Sequence, residues 1–168
     1  MTDSADNAVL SKDQEAALDQ IRLTDWPVFV TGGAGTGKSL LLKRYVAEEK
    51  QKGEIAVAAP TGIAALNVNG VTLHSLFGLG ITGIMNQNSF RRKNSEYFKN
   101  LRALVIDEVS MVRVDVMNAV DQALRFHRGI DQPFGDLKLV LFGDPFQLPP
   151  VITGTDKWED LFKGRLLE

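Results

Sequence analysis

The chain has 168 residues, 44% hydrophobic and 24% charged, a composition that suits one globular domain with a buried core. Its formal net charge of -2 does not advertise a nucleic-acid binder, although a local basic groove is compatible with a mildly acidic surface. The absence of cysteine excludes disulfides and thiolate metal sites, and no apolar run approaches the roughly 20 residues of a membrane helix.

Residues 1–9 open polar and acidic, unlike a secretory leader, and read as a frayed tail. With no targeting signal, the expectation is a cytoplasmic protein, or a nuclear or mitochondrial one in a eukaryotic cell. Ser11 is placed to cap a helix over 12–23, with Ala16, Ala17, Leu18 and Ile21 as its apolar positions. Residues 27–31 form a short apolar strand, 32–37 a glycine-rich turn, and 38–51 a helix. A second strand covers 55–59, followed by a small-residue helix over 61–67, a turn at Asn69-Gly70 and a short helix over 73–77. Residues 80–100 are irregular, rich in Asn and Ser, and carry Arg91-Arg92-Lys93; they read as an insertion, helical near 96–99. Residues 103–107 are a buried-type strand ending in acid. Residues 114–126 suit a helix with Val116, Ala119, Val120 and Ala123 on one face, and 137–142 are a fourth strand.

Strands alternating with helices predict an α/β fold: a parallel sheet with helices on both faces. The domain is expected over 10–155, with 156–168 as a C-terminal stub. In such sheets ligands bind beyond the carboxyl ends of the strands, where this chain carries its most unusual residues.

The segment Gly32-Gly33-Ala34-Gly35-Thr36-Gly37-Lys38-Ser39 fits G-x-x-x-x-G-K-[ST] in full and lies between a strand and a helix. Its glycines let backbone N–H groups turn inward around phosphate oxygens, and the following helix offers the same anion its positive end. Gly33, Ala34, Gly35, Thr36, Gly37 and Leu40 are the expected backbone contacts. Lys38 is suited to the β- and γ-phosphates, and the Ser39 hydroxyl to Mg²⁺.

Asp107 and Glu108 follow the third predicted strand. An Asp there holds the Mg²⁺ shell, while the neighbouring Glu orients and deprotonates the attacking water. No convincing N-K-x-D points to a guanine nucleotide. The loop Gly143-Asp144-Pro145-Phe146-Gln147-Leu148-Pro149-Pro150 is stiffened by proline, so that Gln147 suits a sensor of the γ-phosphate.

Taken together, these residues resemble the first RecA-like domain of a superfamily 1B DNA helicase, most closely the PIF helicase family, with RecD-like helicases next. The most specific stretches are Ala59-Pro60-Thr61-Gly62-Ile63-Ala64-Ala65-Leu66-Asn67 and Gly70-Val71-Thr72-Leu73-His74-Ser75. Ile106 to Met111 and Gly143 to Val151 match further family motifs.

The resemblance implies a P-loop ATPase using ATP and Mg²⁺, with Lys38, Glu108 and Gln147 catalytic, Ser39 and Asp107 on the metal, and Gln14 reading the adenine edge. It places Pro60, Thr61, His74 and Phe77 along single-stranded DNA. Thr61 equally suits a helix cap, His74 a packed or capping role, and Phe77 the core. Arg91-Arg92-Lys93 falls where the family carries an insertion near the strand-separation fork, or is a solvated loop. Pro145 departs from the aromatic or other residue of many relatives.

In the family, ATP sits between two RecA-like domains, the second supplying arginines, and movement along DNA runs 5′ to 3′. The implied partners are therefore single-stranded DNA and a second motor domain, with a monomer as the expected state. An isolated first domain is expected to bind nucleotide weakly and not to unwind DNA. A stand-alone nucleotide-gated DNA- or partner-binding module is the alternative. A AAA+ ATPase fits less well, because its fourth-strand sensor is a lone polar residue rather than Gly-Asp followed by Gln-Leu-Pro.

Overall fold

Local chemistry sets where three of the described helices begin. The structure, a computed structural model, describes residues 9–80 and 95–147. Ser11 and Gln14 form a reciprocal cap at the start of α1 (Lys12–Leu23): the Ser11 hydroxyl accepts from the Gln14 N–H, and the Gln14 carboxamide oxygen accepts from the Ser11 N–H. Then follow β1 (Val28–Thr31), α2 (Lys38–Lys50) and β2 (Ile55–Ala59). The next elements are α3 (Gly62–Asn67), β3 (Val71–Thr72) and α4 (Leu73–Phe77), both helices capped by threonine hydroxyls, Thr61 and Thr72. The described chain resumes with α5 (Ser95–Asn100), β4 (Ala103–Ile106), α6 (Val114–Arg128) and β5 (Lys138–Gly143).

All the strand pairings described are parallel, and the sheet order is β1-β5-β4-β2-β3. β2 and β4 are buried along their whole length, which is why both read as unbroken apolar runs. Their side chains alternate between two cores. Ala56, Ala58, Leu104 and Ile106 meet Leu73, Phe77, Phe98, Val120 and Leu124 on the α4, α5 and α6 side. Ile55, Val57, Ala103 and Val105 meet Leu18, Ile21, Leu42 and Tyr45 from α1 and α2. Helices thus cover both faces, as the alternating pattern predicts.

The structure departs from the sequence expectations at two places. β3 is a fifth strand, a two-residue edge paired Ala58 to Val71 and Ala59 to Thr72. The expected insertion over 80–100 ends early, because Phe98 of α5 is 2% exposed and belongs to the core. Arg91-Arg92-Lys93, the tail over 1–8, Leu148-Pro149-Pro150 and the stub over 156–168 lie outside the described residues. No helix among the described residues is long and apolar enough to cross a membrane.

The register aligns the strand ends. Thr31 stands opposite Gly143, Leu141 opposite Ile106, and Ile106 opposite Ala58. The segments after β1, β2, β4 and β5 therefore leave the sheet at one edge, and β5 lies between the phosphate loop and the acidic pair.

Candidate functional site

The glycine-rich loop turns between β1 and α2 with Gly35 at φ 78° and Gly37 at φ 82°. Both values lie in the left-handed region, where a side chain is strained. A Cβ on Gly37 would also collide with the Gln14 amide nitrogen. Within the loop the Thr36 hydroxyl donates to the Gly33 carbonyl at 2.9 Å. The Lys38 ammonium donates to the carbonyls of Gly32 and Gly33 at 2.5 and 3.0 Å. Ser39 is exposed in the first turn of α2, and the Leu40 N–H bonds the Gly37 carbonyl at 3.0 Å. Gly33, Ala34 and Thr36 are exposed along the same loop.

Gln14 is fastened to this loop. Its amide nitrogen donates to the Thr36 carbonyl at 2.9 Å, while its carboxamide oxygen holds the Ser11 N–H. The structure thus brings Gln14 to the phosphate loop, but with one proton and one lone pair already committed to protein. Recognition of an adenine edge would use the remaining N–H and lone pair.

Asp107 is 5% exposed, and its N–H bonds the Ala58 carbonyl at 2.9 Å. Burial pushes its carboxyl above the usual range, and the nearby Glu108 charge adds to this; the Glu108 N–H and the Lys38 charge act in the opposite direction. Lys38 and Asp107 are therefore within electrostatic reach across the intervening strand. Glu108 itself adopts φ 50°, ψ 43°, a conformation costing a non-glycine residue roughly 1–3 kcal/mol. Its Oε2 atom is buried without a hydrogen-bond partner, as is the Ser110 hydroxyl.

After β5 the chain makes a tight turn. The Asp144 carboxylate accepts from the Phe146 N–H at 3.0 Å, and the Asp144 carbonyl accepts from the Gln147 N–H at 3.1 Å. Gln147 consequently faces Glu108 across a cleft of about 620 Å³ that Thr61 and Met111 also line. A second cavity of about 170 Å³ brings Pro60, Thr61 and His74 together with Met111, Val112 and Arg113.

Phe77 requires a correction. It is 1% exposed and stacks on Phe98 with ring centroids 5.4 Å apart, so it packs the core and presents no face to a base. Thr61 does act as a helix cap, its hydroxyl accepting from the Ala64 N–H at 3.2 Å, and it lines both cavities as well. Sequence reasoning missed Asp144, Met111 and Arg113. Asp144 and Met111 both stand inside family-like motifs, at Gly143 to Val151 and Ile106 to Met111, but no pattern there marks their place in the site; nothing local marks Arg113.

The residues present fit a magnesium nucleotide. The loop offers a lysine, a helix start and an exposed serine hydroxyl, and Asp107 adds a carboxylate within electrostatic reach of Lys38. Among the described residues no group of three or more His, Asp or Glu side chains could hold a metal ion. A magnesium ion needs no such group, since it is held by one or two protein oxygens with phosphate oxygens and water.

Comparison with known proteins agrees with this geometry. Residues 9–163 match the model of the PIF1-like helicase family. The chain is 40% identical over 154 residues to the ATP-dependent DNA helicase PIF1 of Candida albicans, spanning 88% of this chain and 17% of that protein. It is 38% identical over 155 residues to the ATP-dependent DNA helicase Pif1 of a Psychrobacter species, covering 89% of this chain and 23% of that protein. Among solved structures, Pif1 helicase from Bacteroides in complex with ADP-AlF3 and single-stranded DNA matches with a TM-score of 0.78 and 40% identity, over 90% of this chain and 36% of that one. The crystal structure of the Candida albicans Pif1 helicase matches with a TM-score of 0.79 and 38% identity, over 86% of this chain and 34% of that one. The chain thus spans well under half the length of the relatives it matches, and it belongs to the PIF1-like helicase family.

Proposed function

We propose that this chain is the first RecA-like motor domain of an ATP-dependent DNA helicase moving 5′ to 3′, binding Mg-ATP at the sheet edge and single-stranded DNA beside it. The observation that carries the reading is the shared cleft of Glu108 and Gln147, one strand away from Lys38 and bordered by the cavity of Pro60 and His74. In this reading Lys38 leaves the Gly32 and Gly33 carbonyls for the β- and γ-phosphates, and the loop N–H groups hold the oxygens between them. Ser39 and Asp107 would hold a magnesium ion, which neutralises charge on the phosphates when bound. Glu108 takes a proton from water as the water oxygen bonds to the γ-phosphorus; the bond to the bridging oxygen breaks, releasing ADP and phosphate. Gln147 orients the water or the γ-phosphate from across the cleft. Pro60, Thr61 and His74 contact the DNA backbone. The charge-stabilising arginines and the rest of the DNA track are assigned to a second motor domain, so this chain alone should hydrolyse slowly and separate no strands.

The test is nucleotide titration of the 168-residue chain, with turnover and strand separation measured alongside. The chain should bind Mg-ATP analogues, and Lys38→Ala should weaken binding at least tenfold, about 1.4 kcal/mol. Binding indifferent to Lys38→Ala would end the reading. Strong DNA-stimulated turnover or unwinding by the chain alone would overturn its dependence on a second domain.

A further inference from the structure

Thr61 and Met111 line both the cleft of Glu108 and Gln147 and the cavity of Pro60 and His74. They are the wall between the two. Thr61 is held in place as the cap of α3. Met111 differs, because it ends the short 3-10 turn Val109–Met111, and its N–H donates to the carbonyl of Glu108 at 3.0 Å. A residue facing the second cavity is thereby bonded directly to the backbone of the glutamate facing the first.

Three features suit this turn to transmit a displacement. Glu108 is in the left-handed region at φ 50°, a sparsely populated conformation that its surroundings must maintain. The Glu108 Oε2 atom and the Ser110 hydroxyl, on either side of Val109, are both buried without a hydrogen-bond partner, so side-chain bonds do not lock the turn. The far side of the turn is braced by β5, where a Cβ on Gly143 would already lie 3.0 Å from Val109 Cγ1 and 3.3 Å from the Ser110 nitrogen. A push on Met111 is therefore resisted behind and passed along the turn toward Glu108. The unbranched thioether adapts its shape to whatever fills the neighbouring space.

We infer that Met111 is a positioning residue that couples occupancy of the Pro60–His74 cavity to the placement of Glu108, so that DNA and nucleotide affinities are linked within this one domain. The inference rests on the function proposed above and adds the residue through which its two sites communicate.

The test measures the affinity of the 168-residue chain for a non-hydrolysable Mg-ATP analogue, with and without a saturating short oligothymidylate. In the wild type the oligonucleotide should tighten nucleotide binding about fivefold, the lower end of ordinary coupling, and the nucleotide should tighten oligonucleotide binding by the same factor. Met111→Ala should bring the ratio close to one, and Met111→Leu, of similar volume, should restore it. The ratio is the readout because a merely structural defect weakens nucleotide binding equally in both conditions and leaves it unmoved. A wild-type ratio retained by Met111→Ala would overturn the inference, whatever happens to the separate affinities. A wild-type chain that binds both ligands without linkage overturns it too while leaving the proposed function standing. A chain that binds neither sinks both.

Discussion

Asp107 lies at the end of β4 with only 5% of its surface exposed, and removal from water disfavours the charged form of its carboxyl. Its folded pKa is raised above the ordinary 3.8, so between those two values the folded state binds more protons than the unfolded one. Stability from this group is present in full below the ordinary value and is lost as pH rises through the folded one. Asp107→Asn should therefore melt above wild type at neutral pH, the gap closing toward about pH 4, while magnesium-nucleotide binding is impaired. Calorimetry across that range checks it, and a variant less stable than wild type at neutral pH would be the contrary result. The residue types needed for this chemistry were legible in the sequence, because Lys38, Ser39, Asp107 and Glu108 each follow a strand or open a helix within a few positions of their motif. For Phe77 the sequence offered both the core and a base-stacking role, and what decides for the core is Phe98, which packs on it from a distant segment. Neither the left-handed backbone of Glu108 nor the place of Met111 on a shared wall leaves a local mark.

Capping explains where three of the six described α-helices begin: a hydroxyl from Ser11, Thr61 or Thr72 opens each of them. β3 escaped that reading, and α5, expected as a helix near 96–99, was not expected to join the core. β3 has two residues, too few for any periodicity, and exists because it pairs with the end of β2. α5 has six residues, a length at which a helix is marginal in isolation. Arg128, near the end of α6, supplies the missing support. Its guanidinium donates to the carbonyls of Phe98 at 2.9 Å, Leu101 at 3.2 Å and Gly135 at 2.6 Å, tying together α5, the approach to β4 and the approach to β5. Arg128→Ala would leave these carbonyls without that donor, and should cost about 2–3 kcal/mol of unfolding free energy. Lysine at this position should recover only part, because an ammonium lacks the planar fork that reaches several acceptors at once. Denaturant midpoints read the loss, and faster amide exchange in α5 than in α2 would locate it. A near-neutral Arg128→Ala would show that α5 is held by Phe98 packing alone.

At the scale of the whole molecule, the alternation of strands and helices predicted a parallel sheet but not its order. That β5 lies between β1 and β4 depends on pairings more than 100 residues apart in sequence, such as Val28 with Val140, and no local pattern encodes them. The same long-range organisation makes the phosphate loop a junction. β1 enters it, α2 leaves it, and Gln14 binds it to α1, so one face of the sheet meets the site at Gly37. A nucleotide held there should stabilise the whole fold, since a ligand confined to the folded state adds about 2.7 kcal/mol at a hundred times its Kd. For a domain of this size that is a rise of about 5–10 °C in Tm. Gly37→Ala should lower the unliganded Tm and remove the nucleotide-dependent rise, because the new methyl meets Gln14 on a backbone with φ 82°. Adding Gln14→Ala to Gly37→Ala relieves the collision but not the backbone strain. Gln14→Ala, which also removes the bonds to Ser11 and Thr36, should cost less Tm in the Gly37→Ala background than in the wild type while the nucleotide response stays absent, a non-additivity expected of residues in contact. Simple additivity of the two substitutions would mean that α1 and the phosphate loop do not bear on one another.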